Sequence, residues 1–275
     1  MSNKNGPAWA SFVRLFGEIA RHHHRYEVFK DFVTMAAFSL HNAVRKDEKL
    51  EAEYLAIIGR YERTDVELFP KLLAELIALL DPEPWHVLGQ LYMELGIQSE
   101  HVGQFFTPPE VSELMARLTY SEELAKLDKP FVTVCEPACG AGGMILAFTK
   151  VMISYGYNPA ERMWAHCQDV DRTAALMCYL QLALWNVPAV VVVGNTLTLE
   201  TREVFYTPAH YLGLWDYRLR RRREAEEERV TESAPQATEE VETTIAVLPP
   251  SESPRTLSRP PPPAKSGQQQ FDFGF

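Results

Sequence analysis

A chain of 275 residues with 46% hydrophobic content can build one large or two small domains around a sizeable core. Its formal net charge of −10 argues against a protein that grips DNA unaided, because phosphate neutralisation by basic residues supplies most non-specific affinity. No apolar run is long enough for a membrane-spanning helix, and the start MSNKNGPAWA lacks the layout of a secretory signal, so a cytoplasmic protein without membrane contact is expected.

In chain order, residues 8 to about 100 read as helical. Trp9, Phe12, Leu15, Phe16 and Ile19 recur at helical spacing, as do Tyr26, Phe29, Phe32, Val33, Ala36 and Leu40. Further stripes follow at Leu50, Tyr54, Leu55, Ile58 and Tyr61, at Leu72, Leu73, Leu76, Leu79 and Leu80, and at Trp85, Leu88, Leu91, Tyr92 and Leu95. His22, His23 and His24 stand between two stripes. Three adjacent side chains point in different directions, and no other ligands are near in sequence, so a polar turn is the better reading than a metal site.

From Phe131 the pattern changes. FVTVC is a short β-branched run, followed by a Gly-rich turn and a helical stretch from Met144 to about Tyr155. MWAHC then gives a second strand, Thr173 to Trp185 a second helix, and AVVVV a third strand. Strand and helix alternating at this pitch mean βαβ units and a parallel sheet, and apolar runs without polar alternation suggest strands covered on both faces. Cys135, Cys139, Cys167 and Cys178 all lie here and form no Cys-x-x-Cys pair, so they read as reduced, buried small residues.

The boundaries that follow are a helical domain over 1–102, an α/β core over 103–217 and a tail over 218–275. The tail opens with RLRRRREAEEERV and becomes rich in Ser, Thr, Glu and Pro, a composition that cannot bury enough surface to offset ordering entropy. Disorder is expected there. The last five residues nevertheless carry three phenylalanines.

Four segments carry chemistry. In Gly103-Gln104-Phe105-Phe106-Thr107-Pro108-Pro109-Glu110, Thr107 suits an N-cap, Pro108 the first helical position and Glu110 a capping box, with Val111, Leu114, Met115 and Leu118 as the helix's apolar face. Capping alone does not explain the Gly-Gln-Phe-Phe before it. In Glu136-Pro137-Ala138-Cys139-Gly140-Ala141-Gly142-Gly143, a strand ends in an acid and glycines let the backbone approach a ligand at the carboxyl end of a parallel sheet. No glycine stands three positions after Gly142, which disfavours a dinucleotide fingerprint. Gln168-Asp169-Val170-Asp171 ends the second strand with carboxylates able to accept from ribose hydroxyls, although an acid at a helix start is also favoured by the macrodipole. Gly194-Asn195-Thr196-Leu197 ends the third.

Together these segments resemble the N6-adenine DNA methyltransferases, in particular type I modification subunits, over roughly residues 8 to 197. The resemblance implies a Rossmann-like core that binds S-adenosyl-L-methionine. Phe106, Thr107 and Pro108 would lie at its methionine end, with Glu136, Pro137, Ala138, Gly140 and Gly142 as the glycine loop, Asp169 at the ribose and Asn195 near the adenine. Asn195 replaces the Asp usual in that family. The family also needs an Asn/Asp/Ser-Pro-Pro-aromatic segment that orients the flipped base. The nearest segment is Thr207-Pro208-Ala209-His210-Tyr211, with Thr207 and Pro208 as acceptors and His210 or Tyr211 as the stacking ring. Its alternative is a plain turn and short helix running to Leu212 and Trp215.

The expectation is thus a cofactor-binding methylase-like protein, shortened and impaired in transfer. The alternatives are an active enzyme working with a partner, and an interaction or anti-restriction protein using the fold as a scaffold. DNA would be reached through a partner or oligomer such as a restriction-modification subunit. The edge of the first strand would be covered by 203–206 or by another chain. Gln270, Phe271, Phe273 and Phe275 resemble a sliding-clamp-binding peptide, with folding back onto the core as the alternative.

Overall fold

The computed structural model describes residues 6–81, 83–97 and 106–233. It divides into compact units Met1–Arg229 and Val230–Phe275, and the following concerns the first. The four terminal residues expected to bind a clamp lie outside the described residues.

The helices of the first part are α1 (Pro7–Glu18), α2 (Arg25–Val44), α3 (Glu48–Ile58), α4 (Arg63–Val66), α5 (Phe69–Leu80) and α6 (Val87–Glu94). Local chemistry sets their starts. His24 accepts from the Tyr26 N–H at the head of α2, and Asp47 accepts from Lys49 and Leu50 at the head of α3. His24 is therefore a cap and His23 stacks on Tyr61 at 5.0 Å, while the described residues hold no group of three or more His, Cys, Asp or Glu arranged for a metal.

The second part runs α7 (Pro109–Ala125), β1 (Val132–Glu136), α8 (Gly143–Ser154), α9 (Pro159–Arg162), β2 (Met163–Asp169), α10 (Arg172–Leu184), β3 (Ala189–Asn195), β4 (Glu200–Tyr206), α11 (Pro208–Leu212) and α12 (Trp215–Ser233). The sheet order is β1-β2-β3-β4, parallel from β1 to β3, with β4 antiparallel on β3. Because the crossovers β1–α8–β2 and β2–α10–β3 step the same way, right-handed connections place both helices on one face. Ala165, Cys167, Val191 and Val193 point there and are buried. This is the expected partial parallel sheet with a helical region before it, a Rossmann-like architecture.

One contiguous apolar core joins the early helices to the sheet. Phe38 of α2 stacks on Phe205 of β4 at 6.2 Å, and Tyr179 of α10 approaches the same ring at 5.7 Å. Two polar bridges, the first buried and the second half-buried, reinforce the junction. Gln181 accepts from the Leu88 N–H and donates to the Ala141 carbonyl, and Arg172 pairs with both Glu53 and Glu203.

Four expectations are corrected. The 203–206 segment extends β4 along β3 instead of covering β1, so among the described residues β1 is an edge strand and only the other-chain alternative remains for it. Only β3 is buried throughout. β1 alternates, with Thr133 and Cys135 exposed on the face opposite α8, so Cys135 is not a core cysteine. Helix α7 begins at Pro109, with the Pro108 carbonyl accepting from Val111 and Ser112, one residue later than capping by Thr107 requires. Finally, its apolar stripe faces out: Val111, Leu114, Met115 and Leu118 are exposed, whereas Ser112, Ala116 and Leu124 are buried. Period alone cannot distinguish a face that meets the core from one that does not.

Candidate cofactor site

The carboxyl ends of β1, β2 and β3 lie side by side, placing Glu136, Asp169 and Asn195 along one edge of the sheet. In a parallel sheet that edge is where the βα loops converge on a ligand. The loop after β1 is shaped by Gly140 (φ 52°) and Gly142 (φ 89°), both in the left-handed region where a side chain is strained. A Cβ on Gly140 would stand 3.2 Å from the Phe106 ring, and one on Gly142 would stand 3.0 Å from Cys178 Sγ. Glycine is thus required twice, by conformation and by space.

Several bonds hold this loop. The Gly140 N–H donates to Asp169 Oδ2 at 2.7 Å and the Cys139 N–H to the Gln168 carbonyl at 2.9 Å. Thr196, on the loop after β3, donates to the Pro137 carbonyl at 2.6 Å. Phe106 closes one side, edge-on to His86 and Tyr92, while Thr107 and Pro108 stay exposed beside it.

The expected cofactor residues Phe106, Thr107, Pro108, Glu136, Pro137, Ala138, Gly140, Gly142, Asp169 and Asn195 are therefore drawn from four chain segments, two of which the glycine loop joins directly. Their geometry refines their capacities. Burial raises the Glu136 carboxyl above its ordinary range, and it accepts only one long contact, from the Ala138 N–H at 3.4 Å. Asp169 is also raised, by burial first, but spends an oxygen on Gly140 and accepts from Asp171 with the other. Neither is in an ion pair among the described residues. Asp171 caps α10 through the Ala174 N–H, which is the helix-start role. Asn195 Oδ1 accepts from Leu197 and Thr198, leaving its amide hydrogens outward.

The proposed transfer residues stand elsewhere. Because β4 is antiparallel, Tyr206 pairs with Val190 at the start of β3 and Glu200 with Asn195 at its end. Thr207, Pro208, His210 and Tyr211 thus lie at the amino ends of the parallel strands, about 20 Å from the loop at ~3.3 Å per residue. Thr207 is buried, accepting from Ala189 N–H and donating to the Val187 carbonyl. His210 is buried between Trp164 Nε1 and Asp216. The turn-and-helix alternative is what the chain adopts.

Sequence reasoning missed Gln181 and His86. His86 is buried between Gly89 and Gly143, and burial pushes its pKa to about 4 against the opposing pull of the Thr107 backbone. A lone polar residue in an apolar stripe was the only available signal.

The fold and this loop define an α/β core with a glycine-turned loop at the carboxyl edge of its parallel strands. Residues 88–214 match the family described as N-6 DNA Methylase. The type I restriction enzyme MpnII methylase subunit of Mycoplasma pneumoniae is 28% identical over 107 residues, 38% of this chain and 18% of that protein. The chain thus spans about a fifth of that relative's length. Among solved structures, a class I S-adenosylmethionine-dependent methyltransferase of Listeria monocytogenes aligns with TM-score 0.36 and 17% identity, covering 68% of this chain and 52% of that one. A type I restriction-modification methyltransferase subunit of Streptococcus thermophilus aligns with TM-score 0.35 and 18% identity, covering 64% and 43%.

Proposed function

We propose that this chain binds S-adenosyl-L-methionine at the loop Glu136–Gly143 and is the cofactor-binding part of a type I-like DNA adenine-N6 methylase, unable alone to transfer the methyl group. The observation that carries the reading is the strained glycine loop, pinned by Asp169 and faced by Phe106, beside an unpaired Glu136 carboxylate. Those groups suit the ligand. A carboxylate with open lone pairs accepts from ribose hydroxyls, and glycine backbone admits close approach. Bound there, S-adenosylmethionine supplies an electrophilic methyl group. The chain's own residues bind and orient it.

Impaired transfer is inferred from the position of Thr207, Pro208, His210 and Tyr211. A flipped adenine needs acceptors and a stacking ring at the loop, and these four stand at the other end of the sheet. Calorimetry with S-adenosylmethionine tests the binding, and transfer of label to mixed DNA tests the impairment. Absence of binding at millimolar cofactor sinks the first claim; efficient N6-methyladenine formation by the chain alone sinks the second. The described helices include none long and apolar enough to cross a membrane.

A further inference from the structure

Among the described residues, strand β1 has a neighbour on only one side. Its free edge carries neither proline nor bulge, and Thr133 and Cys135 on its open face are small and uncharged. Such an edge is a template for another strand. Beside it is a cavity of about 80 Å³ lined by Tyr120 and Leu124 of α7, Phe131, Val134 and Arg222. Helix α7, which lines that cavity, also exposes the stripe Val111, Leu114, Met115 and Leu118.

The charges at the two ends of β1 differ in sign. At its foot, Arg218 and Arg222 of α12 both lie 5.3 Å over the Phe131 ring, with Lys129 beside the same cavity. At its head stand Glu136 and Asp169, raised by burial and in no ion pair among the described residues. Arg172 and Arg202, at the head end, are engaged by Glu53 and Glu203 and by the Val170 carbonyl, whereas Lys129, Arg218 and Arg222, the last also paired with Glu226, stand at the far end of the sheet from the loop.

We propose that two copies of this chain pair through the free edges of β1, antiparallel about Val134, bringing the cationic foot of each sheet to the acidic cofactor loop of the other. Identical edges close a dimer only with two-fold symmetry, and in one sheet that means antiparallel strands. Thr133 then faces Cys135 of the partner subunit, and opposite charges meet at both ends. Resting on the methylase reading, the same arrangement places Lys129, Arg218 and Arg222 where DNA phosphates would pass the loop.

The experiment uses the full chain. Light scattering is expected to give twice the monomer mass at micromolar concentration. Thr133→Cys should form an intersubunit disulfide with Cys135 on mild oxidation, which the wild type, with Cys135 two registers from its own copy, should not. Thr133→Asp with Cys135→Asp puts like charges opposite each other at exposed positions and should leave a monomer, while Thr133→Lys with Cys135→Asp should restore the dimer. Circular dichroism and cofactor calorimetry on the monomeric variant verify its fold. A monomeric wild type, or a dimer that survives the double Asp variant and gives no cross-link, overturns the proposal. Duplex DNA retention should fall about tenfold or more in the monomeric variant as phosphate contacts are lost; unchanged retention overturns the DNA-facing half. Cofactor binding that fails while the dimer persists removes the methylase reading and leaves the interface.

Discussion

The Gly140 N–H donates to Asp169 Oδ2 at 2.7 Å, so the carboxylate ending β2 pins the glycine loop that ends β1. The loop's strained turn is held by the neighbouring strand, and its ligand-facing surface exists only when both strands are paired.

Gly140→Val is therefore expected to abolish cofactor binding. It forces a β-branched residue to φ 52° and places carbon 3.2 Å from the Phe106 ring. The strain should cost about 1–3 kcal/mol. Calorimetry and urea unfolding measure the two effects, and unchanged affinity removes the loop from the site.

Gln181→Leu keeps the volume and deletes the bridge between the Ala141 carbonyl and the Leu88 N–H. Both main-chain groups are then buried without that partner, at ~1–3 kcal/mol each. A lowered urea midpoint with weaker cofactor binding is expected, since the loop loses a brace. A midpoint equal to wild type contradicts the bridge.

Glu136→Gln should stabilise the cofactor-free protein at neutral pH while weakening cofactor binding. Burial raises the carboxyl above the ordinary glutamate value of 4.5, so the folded state favours the protonated form more than the unfolded chain does. The associated stability is present below pH 4.5 and is lost as pH rises through the raised folded value. The thermal midpoint of the variant should thus exceed wild type at pH 7 and converge with it in acid. A midpoint gap of the opposite sign at pH 7 refutes the argument.

Thr207→Val removes a hydroxyl that accepts from Ala189 and donates to Val187, both main chain. A loss of about 1–3 kcal/mol is expected, with cofactor affinity unchanged because the site is at the far end of the sheet. Wild-type stability combined with lost methyl transfer would return Thr207 to the reaction.

Much of this was legible along the chain. The helical stripes, the three parallel strands and the loop Glu136–Gly143 are local patterns of period, β-branching and glycine, and they appear where expected. The site residues at the three strand ends were readable because a βα loop follows each parallel strand at the same sheet edge.

Direction and partnership were not readable. Val204-Phe205-Tyr206 has strand character, but whether it pairs with β1 or turns back on β3 depends on which edge Phe205 can reach Phe38 and Tyr179 from. Pairing with β3 carries Thr207 to Tyr211 away from the loop. Likewise the stripe of α7 has helical period, yet Ser112 and Ala116 face the core because small residues allow α7 and α8 to approach closely. Sequence alone determined the elements and the glycine loop, since these depend on neighbours along the chain. Tertiary structure alone decided which edge stayed open, because strand pairing is settled by contacts between residues far apart in sequence.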